Sequence, residues 1–223
     1  MKTWFITGTD TGAGKTVLTA LLARFLHAQG LRVAALKPIC SGGRDDARQL
    51  YNAIAGDLTL DEINPWHFRA ALAPTLAARL EQKSVRLRDV LAYVEQWRQQ
   101  ADVVLVEGAG GLLSPLGVKF NSRDLITALA ATPIIVAPDK LGVVNHLLLT
   151  LEALPSAAAG RARVVLVSPA RPDPATGTNA GLLAAFFPTK RTFSLPWLGE
   201  RHLPEEIIRQ PAVHQMLQGM LKI

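Results

Sequence analysis

The 223 residues are 49% hydrophobic and 19% charged, so the chain has enough apolar surface for a core and is not intrinsically disordered. This length suits one domain over residues 1–223 and would be cramped for two. The single cysteine, Cys40, excludes a disulfide framework and a cysteine-rich zinc module, as is typical of a reducing compartment. The net charge is +6, but the basic residues form no run and no aromatic-interleaved stripe, so nucleic acid is not an expected partner.

The amino terminus lacks the length of apolar run and the small-residue cleavage site of a signal peptide. No apolar stretch reaches the ~18 uninterrupted residues that a membrane span needs. We therefore expect a cytoplasmic protein with no membrane partner.

Short apolar runs alternate with longer segments of helical periodicity along the chain. The runs predict strands at residues 4–7, 31–36, 103–106, 134–136 and 164–167. The periodic segments predict helices at 17–29, 45–55, 85–99, 122–131, 143–153, 178–187 and 205–219. Runs that are apolar at consecutive positions suit strands buried on both faces, and intervening helices imply crossover connections. The sequence thus predicts a three-layer α/β domain with a mainly parallel central sheet flanked by helices.

The first predicted strand runs into residues 8–16, GTDTGAGKT, and then into a helix. A strand, a Gly-rich turn, Gly-Lys-Thr and a helix form the setting of a phosphate-binding loop, or P-loop, so the fold is predicted to be P-loop NTPase-like. Lys15 can reach the β- and γ-phosphates of a nucleotide, and the Thr16 hydroxyl can ligate Mg²⁺. The strict pattern has a glycine where this chain has Thr9. The predicted phosphate contacts are Gly12, Ala13, Gly14, Lys15 and Thr16.

Charged residues follow two of the predicted strands. Glu107 follows the run 103–106 and Lys37 follows the run 31–36, at the carboxyl ends where parallel sheets bind ligands. Asp45 and Asp46 come shortly after Lys37, and carboxylates suit Mg²⁺. Other interpretations stay open: Glu107 could complete a turn, Lys37 could be a solvated lysine, and the aspartates could complement a helix dipole. Cys40 is interpreted as a small buried filler.

Taken together, the motifs resemble those of the dethiobiotin synthetase family of the biotin pathway. The P-loop is similar, including the threonine at the displaced glycine, and so are KPICSG at 37–42 and VEGAGGLLSPL at 106–116. KLGVVNH at 140–146 resembles the start of the family's dimer-interface helix, and 64–68 and 195–198 add weaker matches. The likeness runs in order from residue 3 to about 200.

The resemblance implies a role for each matched residue. Thr11, Lys15, Lys37 and Ser41 would surround the reacting carbamate and γ-phosphate, whereas Thr16, Asp46 and Glu107 would hold Mg²⁺. The diamino acid would be positioned by Ser41, Gly110 and Gly111 and, from the partner subunit of a homodimer, by Leu141, Gly142, Val143 and Asn145. The nucleotide base would lie beside Ser168, Pro196, Trp197, Leu198 and Glu200.

The implied reaction is that of an ATP-dependent cyclo-ligase. It would close a ureido ring on 7,8-diaminononanoate with CO₂ and ATP, through a carbamate and a carbamic-phosphoric mixed anhydride, and release ADP and phosphate. The chain departs from the family at Ser168, where asparagine is common and reads adenine, and at Thr75, where histidine is frequent. A serine hydroxyl cannot present the paired donor and acceptor of an amide, so relaxed base selectivity is a hypothesis.

Three other functions are weighed against this one. A partner-regulated switch ATPase of the plasmid- and septum-partitioning type would share the fold, but its extra lysine early in the P-loop is missing at residues 9–11. An amide synthase of the cobyric-acid type needs a glutaminase domain with a cysteine nucleophile, for which this chain is too short. A non-catalytic module that keeps only the fold is the remaining alternative.

Overall fold

A computed structural model describes residues 2–199 and 203–222. Its strands are β1 (Lys2–Gly8), β2 (Val33–Leu36), β3 (Ile39–Ser41), β4 (Trp66–Phe68), β5 (Val103–Glu107), β6 (Pro115–Gly117), β7 (Phe120–Asn121), β8 (Thr132–Pro138), β9 (Arg163–Val167) and β10 (Thr192–Leu195). Its helices are α1 (Lys15–His27), α2 (Asp45–Ala53), α3 (Leu60–Ile63), α4 (Pro74–Leu80), α5 (Leu87–Arg98), α6 (Ser122–Ala128), α7 (Val143–Glu152), α8 (Ser156–Ala159), α9 (Asn179–Leu183), α10 (Pro204–Ile207) and α11 (Pro211–Lys222), with a 3-10 turn at Thr189–Arg191.

The central sheet has six strands in the order β10-β9-β8-β1-β5-β2, and each neighbouring pair is parallel. Its central strands are buried except at some of their ends, since side chains such as Phe5, Leu105 and Ile135 lie under helices on one face or the other. The predicted α/β class with a mainly parallel sheet is confirmed. Small two-stranded sheets, parallel β3–β4 and antiparallel β6–β7, lie beside it.

The strand order fixes where a ligand can bind. From β1 the chain crosses through α1 to β2, on one side of β1, and it reaches β8 on the other side only later. A crevice therefore opens at the carboxyl end of β1, which is the position where open α/β sheets bind ligands. The P-loop lies directly at this point, because β1 ends at Gly8 and α1 begins at Lys15.

Two differences from the predicted elements have physical reasons. The sixth strand, β10, was missed because it is an edge strand whose residues TFSL are buried only at Leu195, so it carries no continuous apolar run. The predicted helix 205–219 is two helices, because Pro211 lacks a backbone N–H and starts a new one. No helix in the described part of the chain has the length and apolar character to cross a bilayer.

Candidate active site

The turn between β1 and α1 wraps into a phosphate-binding loop. Gly12 and Gly14 have φ of 73° and 95°, a left-handed conformation that glycine adopts without steric cost. A Cβ on Gly14 would also stand 3.2 Å from Val167, so the loop packs closely on the end of β9. The Nζ of Lys15 reaches back across the loop and donates to the carbonyl oxygen of Asp10 at 2.8 Å. The loop therefore combines backbone N–H groups, a helix N-terminus and a lysine around one space.

The Lys15 ammonium stands in an unfavourable environment. The residue is only 6% exposed. Burial, followed by repulsion from the nearby Lys37 ammonium, lowers the pKa of Lys15 to about 8. An anionic phosphate at the loop would oppose both effects and stabilise the charged lysine.

A second lysine is held by two carboxylates at the same edge of the sheet. The Nζ of Lys37 lies 2.6 Å from Glu107 Oε1 and 2.9 Å from Asp46 Oδ2, and it also donates to the Gly108 carbonyl oxygen at 3.1 Å. This contact follows from the parallel pairing of β2 with β5, which sets Leu36 beside Val106 and brings the two following residues together. Burial opposes the charge of Lys37, but Glu107 and Asp46 outweigh it and raise its pKa.

The same carboxylates offer oxygen ligands for a divalent cation. Glu107 is buried, its Oε1 accepts a hydrogen bond from the Thr16 hydroxyl at 2.8 Å, and its Oε2 has no hydrogen-bond partner in residues 2–199 and 203–222. Burial would raise the pKa of Asp46, but Lys37 outweighs it and keeps that pKa low. Asp45 points elsewhere and pairs with Arg48 at the surface. A hydroxyl and two carboxylates, one of which has an unpartnered oxygen, fit Mg²⁺, which takes few protein ligands beside phosphate and water.

A cavity of about 800 Å³ opens above this cluster. Its wall carries the Ser41 hydroxyl, which donates to the Leu72 carbonyl oxygen at 2.6 Å, and the backbone of Gly110. Gly110 has φ of 68°, and a Cβ there would meet the Ser114 hydroxyl at 2.5 Å. The residues on this wall that the sequence motifs pointed to are Thr11, Gly12, Gly14, Lys15, Thr16, Lys37, Ser41, Asp46 and Gly110.

Two of the expected residues stand behind the cavity wall. Glu107 lies beneath the lysines, and Gly111 lies against the P-loop, where a Cβ would be 3.2 Å from the Thr9 carbonyl oxygen. Ser114 is not among the predicted site residues, yet its hydroxyl accepts a hydrogen bond from the Gly111 N–H at 2.9 Å and shapes this turn. The SP pair in the third motif is the signal that could have pointed to it.

A smaller cavity of about 340 Å³ adjoins the P-loop on the side of β9 and β10. Ser168 follows β9, and its N–H donates to the Leu195 carbonyl oxygen at 2.9 Å, which ties the ends of the two strands together. The wall is mostly apolar and includes a half-exposed Trp197, as suits a flat nucleotide base. The expected base contacts found here are Ser168, Pro196, Trp197 and Leu198, and the predicted phosphate contact Ala13 lines the same cavity. Glu200 lies outside the described residues.

Comparison with known proteins shows to which family the chain belongs. The AAA domain family matches residues 2–203. An ATP-dependent dethiobiotin synthetase of Anaeromyxobacter dehalogenans is 39% identical over 203 residues, which cover 88% of this chain and 91% of the relative. The chain belongs to the dethiobiotin synthetase family. Two further relatives carry the same name. A synthetase of Akkermansia muciniphila is 40% identical over 69% of this chain and 72% of the relative, and one of Methanocaldococcus jannaschii is 38% identical over 67% of this chain and 72% of the relative. The relatives' name confirms the expected enzyme class, an ATP-dependent ligase, for this family.

Solved structures with similar folds are more distant in sequence. The ParA protein of pNOB8 bound to nonspecific DNA has a TM-score of 0.62 at 14% identity, covering 99% of this chain and 97% of ParA. A chain of the MinC:MinD cell division complex of Aquifex aeolicus has a TM-score of 0.64 at 15% identity, covering 100% and 95%. At such identities the likeness concerns the fold alone, and it confirms the P-loop NTPase-like architecture.

The segment that the family resemblance assigns to the diamino acid lies apart from both cavities in this chain. Leu141 is 79% exposed, and its N–H donates to the Asp173 carboxylate at 2.8 Å. Gly142, with φ of 87°, is the N-cap of α7, and Val143, its first residue, turns into the core. Asn145 follows on the first turn of that helix. Within one chain, none of these four residues lines either of the two cavities.

Two further family positions can now be placed. The Thr75 hydroxyl donates to the Gly117 carbonyl oxygen at 3.3 Å and so connects α4 to β6. Cys40 is buried, burial raises the pKa of its thiol, and its Sγ donates to Asn64 Oδ1 and the Gly43 carbonyl oxygen, both at 3.0 Å. A thiol held in its neutral form by these contacts is a poor nucleophile.

Proposed function

We propose that this single domain closes a ureido ring on 7,8-diaminononanoate with CO₂ and ATP, yielding dethiobiotin, ADP and phosphate. The observation that carries the proposal is the pair of buried lysines, Lys15 and Lys37, between a P-loop and a cavity of about 800 Å³. A triphosphate and a carbamate are both anionic, and two ammonium groups between them offset their repulsion. The cavity has room for a second substrate beside the nucleotide.

The site residues of this chain act at successive steps of the proposed reaction. One substrate amine adds to CO₂ and forms a carbamate, which Ser41 and the Gly110 backbone orient beside Lys37. A carbamate oxygen then attacks the γ-phosphate, whose charge Lys15 and Lys37 stabilise, and ADP leaves. The second amine displaces phosphate from the mixed anhydride, loses a proton, and closes the ring. Thr11, on the P-loop, lines the same cavity beside the two lysines.

Thr16, Asp46 and Glu107 would hold Mg²⁺. When bound, Mg²⁺ neutralises charge on the β- and γ-phosphate oxygens. The buried, unpartnered Oε2 of Glu107 and the Thr16 hydroxyl beside it support this assignment. Lys37 would then shift from its carboxylate partners towards the carbamate and phosphate oxygens.

The proposed reaction is tested by product analysis. We expect the purified protein to convert the diamine, ATP, Mg²⁺ and ¹³C-bicarbonate into dethiobiotin one mass unit heavier, by mass spectrometry. Omitting ATP or the diamine should abolish the product. If ATP is consumed at the same rate with and without the diamine and no labelled product forms, a switch ATPase of the partitioning type becomes the better description.

We expect the enzyme to be a homodimer in which Leu141, Gly142 and Asn145 reach the partner's site, with Val143 contributing only its backbone because its side chain is buried in its own chain. Light scattering should then give twice the mass of one chain. Leu141→Asp should give a monomer, since burying a leucine contributes roughly 1.5–3 kcal/mol and an aspartate there would lose its hydration. The matched control is Leu80→Asp, because Leu80 is 68% exposed on α4. A monomeric wild-type protein with full activity would contradict this prediction.

Nucleotide selectivity should depend on Ser168. A single hydroxyl cannot pair with both the amino group and the ring nitrogen of adenine, so we expect ATP and CTP to support comparable turnover. Ser168→Asn should raise the ATP:CTP ratio of kcat/KM about tenfold, the scale of one added hydrogen-bonded pair. Ser168→Ala is the control and should leave the ratio unchanged. Strict use of ATP by the wild-type protein would overturn the idea.

A further inference from the structure

A third cavity, of about 520 Å³, lies at the opposite edge of the central sheet from the P-loop. It opens at the amino ends of β1, β8 and β9 and is closed by the turn before β10. With β1 running from Lys2 to Gly8, a rise of ~3.3 Å per residue sets the two sites roughly 20 Å apart. This site, here named the basic cavity, is therefore separate from the catalytic edge.

Six of the eleven described residues that line the basic cavity are cationic, and none of the eleven is acidic. They come from four separate stretches of the chain, so no local run of charge marks them in the sequence. The cations are Lys2, Arg98, Arg161, Arg163, Lys190 and Arg191.

The arginines are partly fixed by the fold. The Nη1 of Arg191 donates to the carbonyl oxygens of Ala159 and Gly160, and Arg161 donates to the carbonyl oxygen of Ala131 at 3.1 Å. The guanidinium of Arg163 stacks 4.0 Å from the Trp4 ring centroid. Burial, followed by repulsion from Arg191, lowers the pKa of Arg163 to about 10. The fold thus holds several positive charges rigidly beside one another.

Polar groups without partners complete the wall. Lys2 and Lys190 are exposed and form no ion pair with any described residue. Thr3 is only 8% exposed, and its hydroxyl has no hydrogen-bond partner in the described ranges. The Nε of Arg98 is likewise buried and without a described partner, although Nη1 of the same guanidinium pairs with Glu95 at 3.1 Å. Buried polar groups usually have a hydrogen-bond partner, because leaving a buried donor unpaired costs free energy. A ligand with acceptor oxygens would supply that partner here.

We propose that the basic cavity binds a small anion that carries at least two phosphate groups. Fixed guanidinium groups match phosphate oxygens in geometry and charge, and two mobile lysines can close on the ligand. The volume is that of a small-molecule site rather than of a flat macromolecular interface. Free pyrophosphate and a phosphorylated metabolite share this chemistry.

The probe is inorganic tripolyphosphate, titrated into ¹⁵N-labelled protein and followed by amide NMR shifts. We expect saturable shifts at two places: the P-loop, and residues 2–4 with 160–163 and 190–191. Each site has its own signals, so a missing response at the P-loop would count against the proposed function and leave this inference standing. Titrating inosine or another uncharged nucleoside should leave the basic cavity unchanged.

The deciding variant is Lys2→Gln/Lys190→Gln, which removes two exposed charges and leaves the four arginines in place. It should weaken tripolyphosphate binding at the basic cavity at least about tenfold and keep the shifts at the P-loop. The control Lys83→Gln/Lys119→Gln removes the same charge from exposed positions elsewhere and should bind like the wild type. Equal weakening in both variants, or no saturable shift at the basic cavity, would overturn the proposal. Replacing tripolyphosphate with a sugar bisphosphate distinguishes a metabolite from a free polyphosphate by the tighter of the two affinities.

Discussion

Lys37→Gln is expected to lower kcat roughly 10²-fold or more while nucleotide binding persists, because one electrostatic stabiliser of phosphoryl transfer is lost. The variant should also unfold more easily, by about 3 kcal/mol, because Glu107 keeps its buried charge without the ammonium that lies 2.6 Å away. The fold raises the pKa of Lys37, so this stabilisation is fully present below the lysine's unfolded pKa and disappears as the pH rises through the folded value. Steady-state kinetics and urea unfolding at neutral pH measure the two effects.

The double variant Lys37→Gln/Glu107→Gln separates stability from catalysis. It removes both members of the buried pair, so it should recover most of the lost free energy of unfolding without recovering turnover. An unchanged kcat in Lys37→Gln would refute the catalytic role. Equal stability of the single variant and the wild-type protein would refute the buried ion pair.

Lys15→Met is expected to have opposite effects on stability and function. Nucleotide affinity and turnover should collapse, because the P-loop loses the ammonium that reaches the β- and γ-phosphates. The free protein should become more stable at pH 7, by up to about 3 kcal/mol, because folding lowers the pKa of Lys15 from 10.5 to about 8. Calorimetric ATP titration and denaturant unfolding measure the two.

The stability of the wild-type protein should depend on pH because of Lys15. Between pH 8 and 10.5 the unfolded lysine holds its proton and the folded one releases it, so the wild-type stability should rise with pH across this window. Lys15→Met lacks that titration, and the difference between the two proteins should shrink towards pH 10.5. A variant that is less stable than the wild-type protein at pH 7 would contradict the electrostatic account of this loop.

Much of the architecture follows from local pattern. Continuous apolar runs mark β5, β8 and β9 because parallel strands are buried on both faces, and the strand-turn-helix context marks the P-loop. The same logic sets Lys37 beside Glu107. Lys37 follows the last residue of β2, Glu107 is the last residue of β5, and the two strands pair in parallel. The edge strand β10 is half exposed and left no comparable signal.

Other features depend on tertiary distances and do not follow from local pattern, although the family resemblance favoured Asp46 over Asp45 for the metal. Asp45 and Asp46 are neighbours in sequence, yet only Asp46 lies on the inner side of α2, 2.9 Å from Lys37. The basic cavity gathers cations from residues 2, 98, 161–163 and 190–191 that are scattered along the chain. The net charge of +6 indicated no partner from the sequence, and the fold concentrates part of it at one edge of the sheet.

A ring-closing synthetase should release phosphate from ATP only as it consumes the diamine. Phosphate release from Mg²⁺-ATP should be measured with and without 7,8-diaminononanoate, at a fixed concentration of bicarbonate. We expect phosphate release to depend on the diamine, with one phosphate formed for each dethiobiotin. A rate of phosphate release that does not respond to the diamine would contradict it.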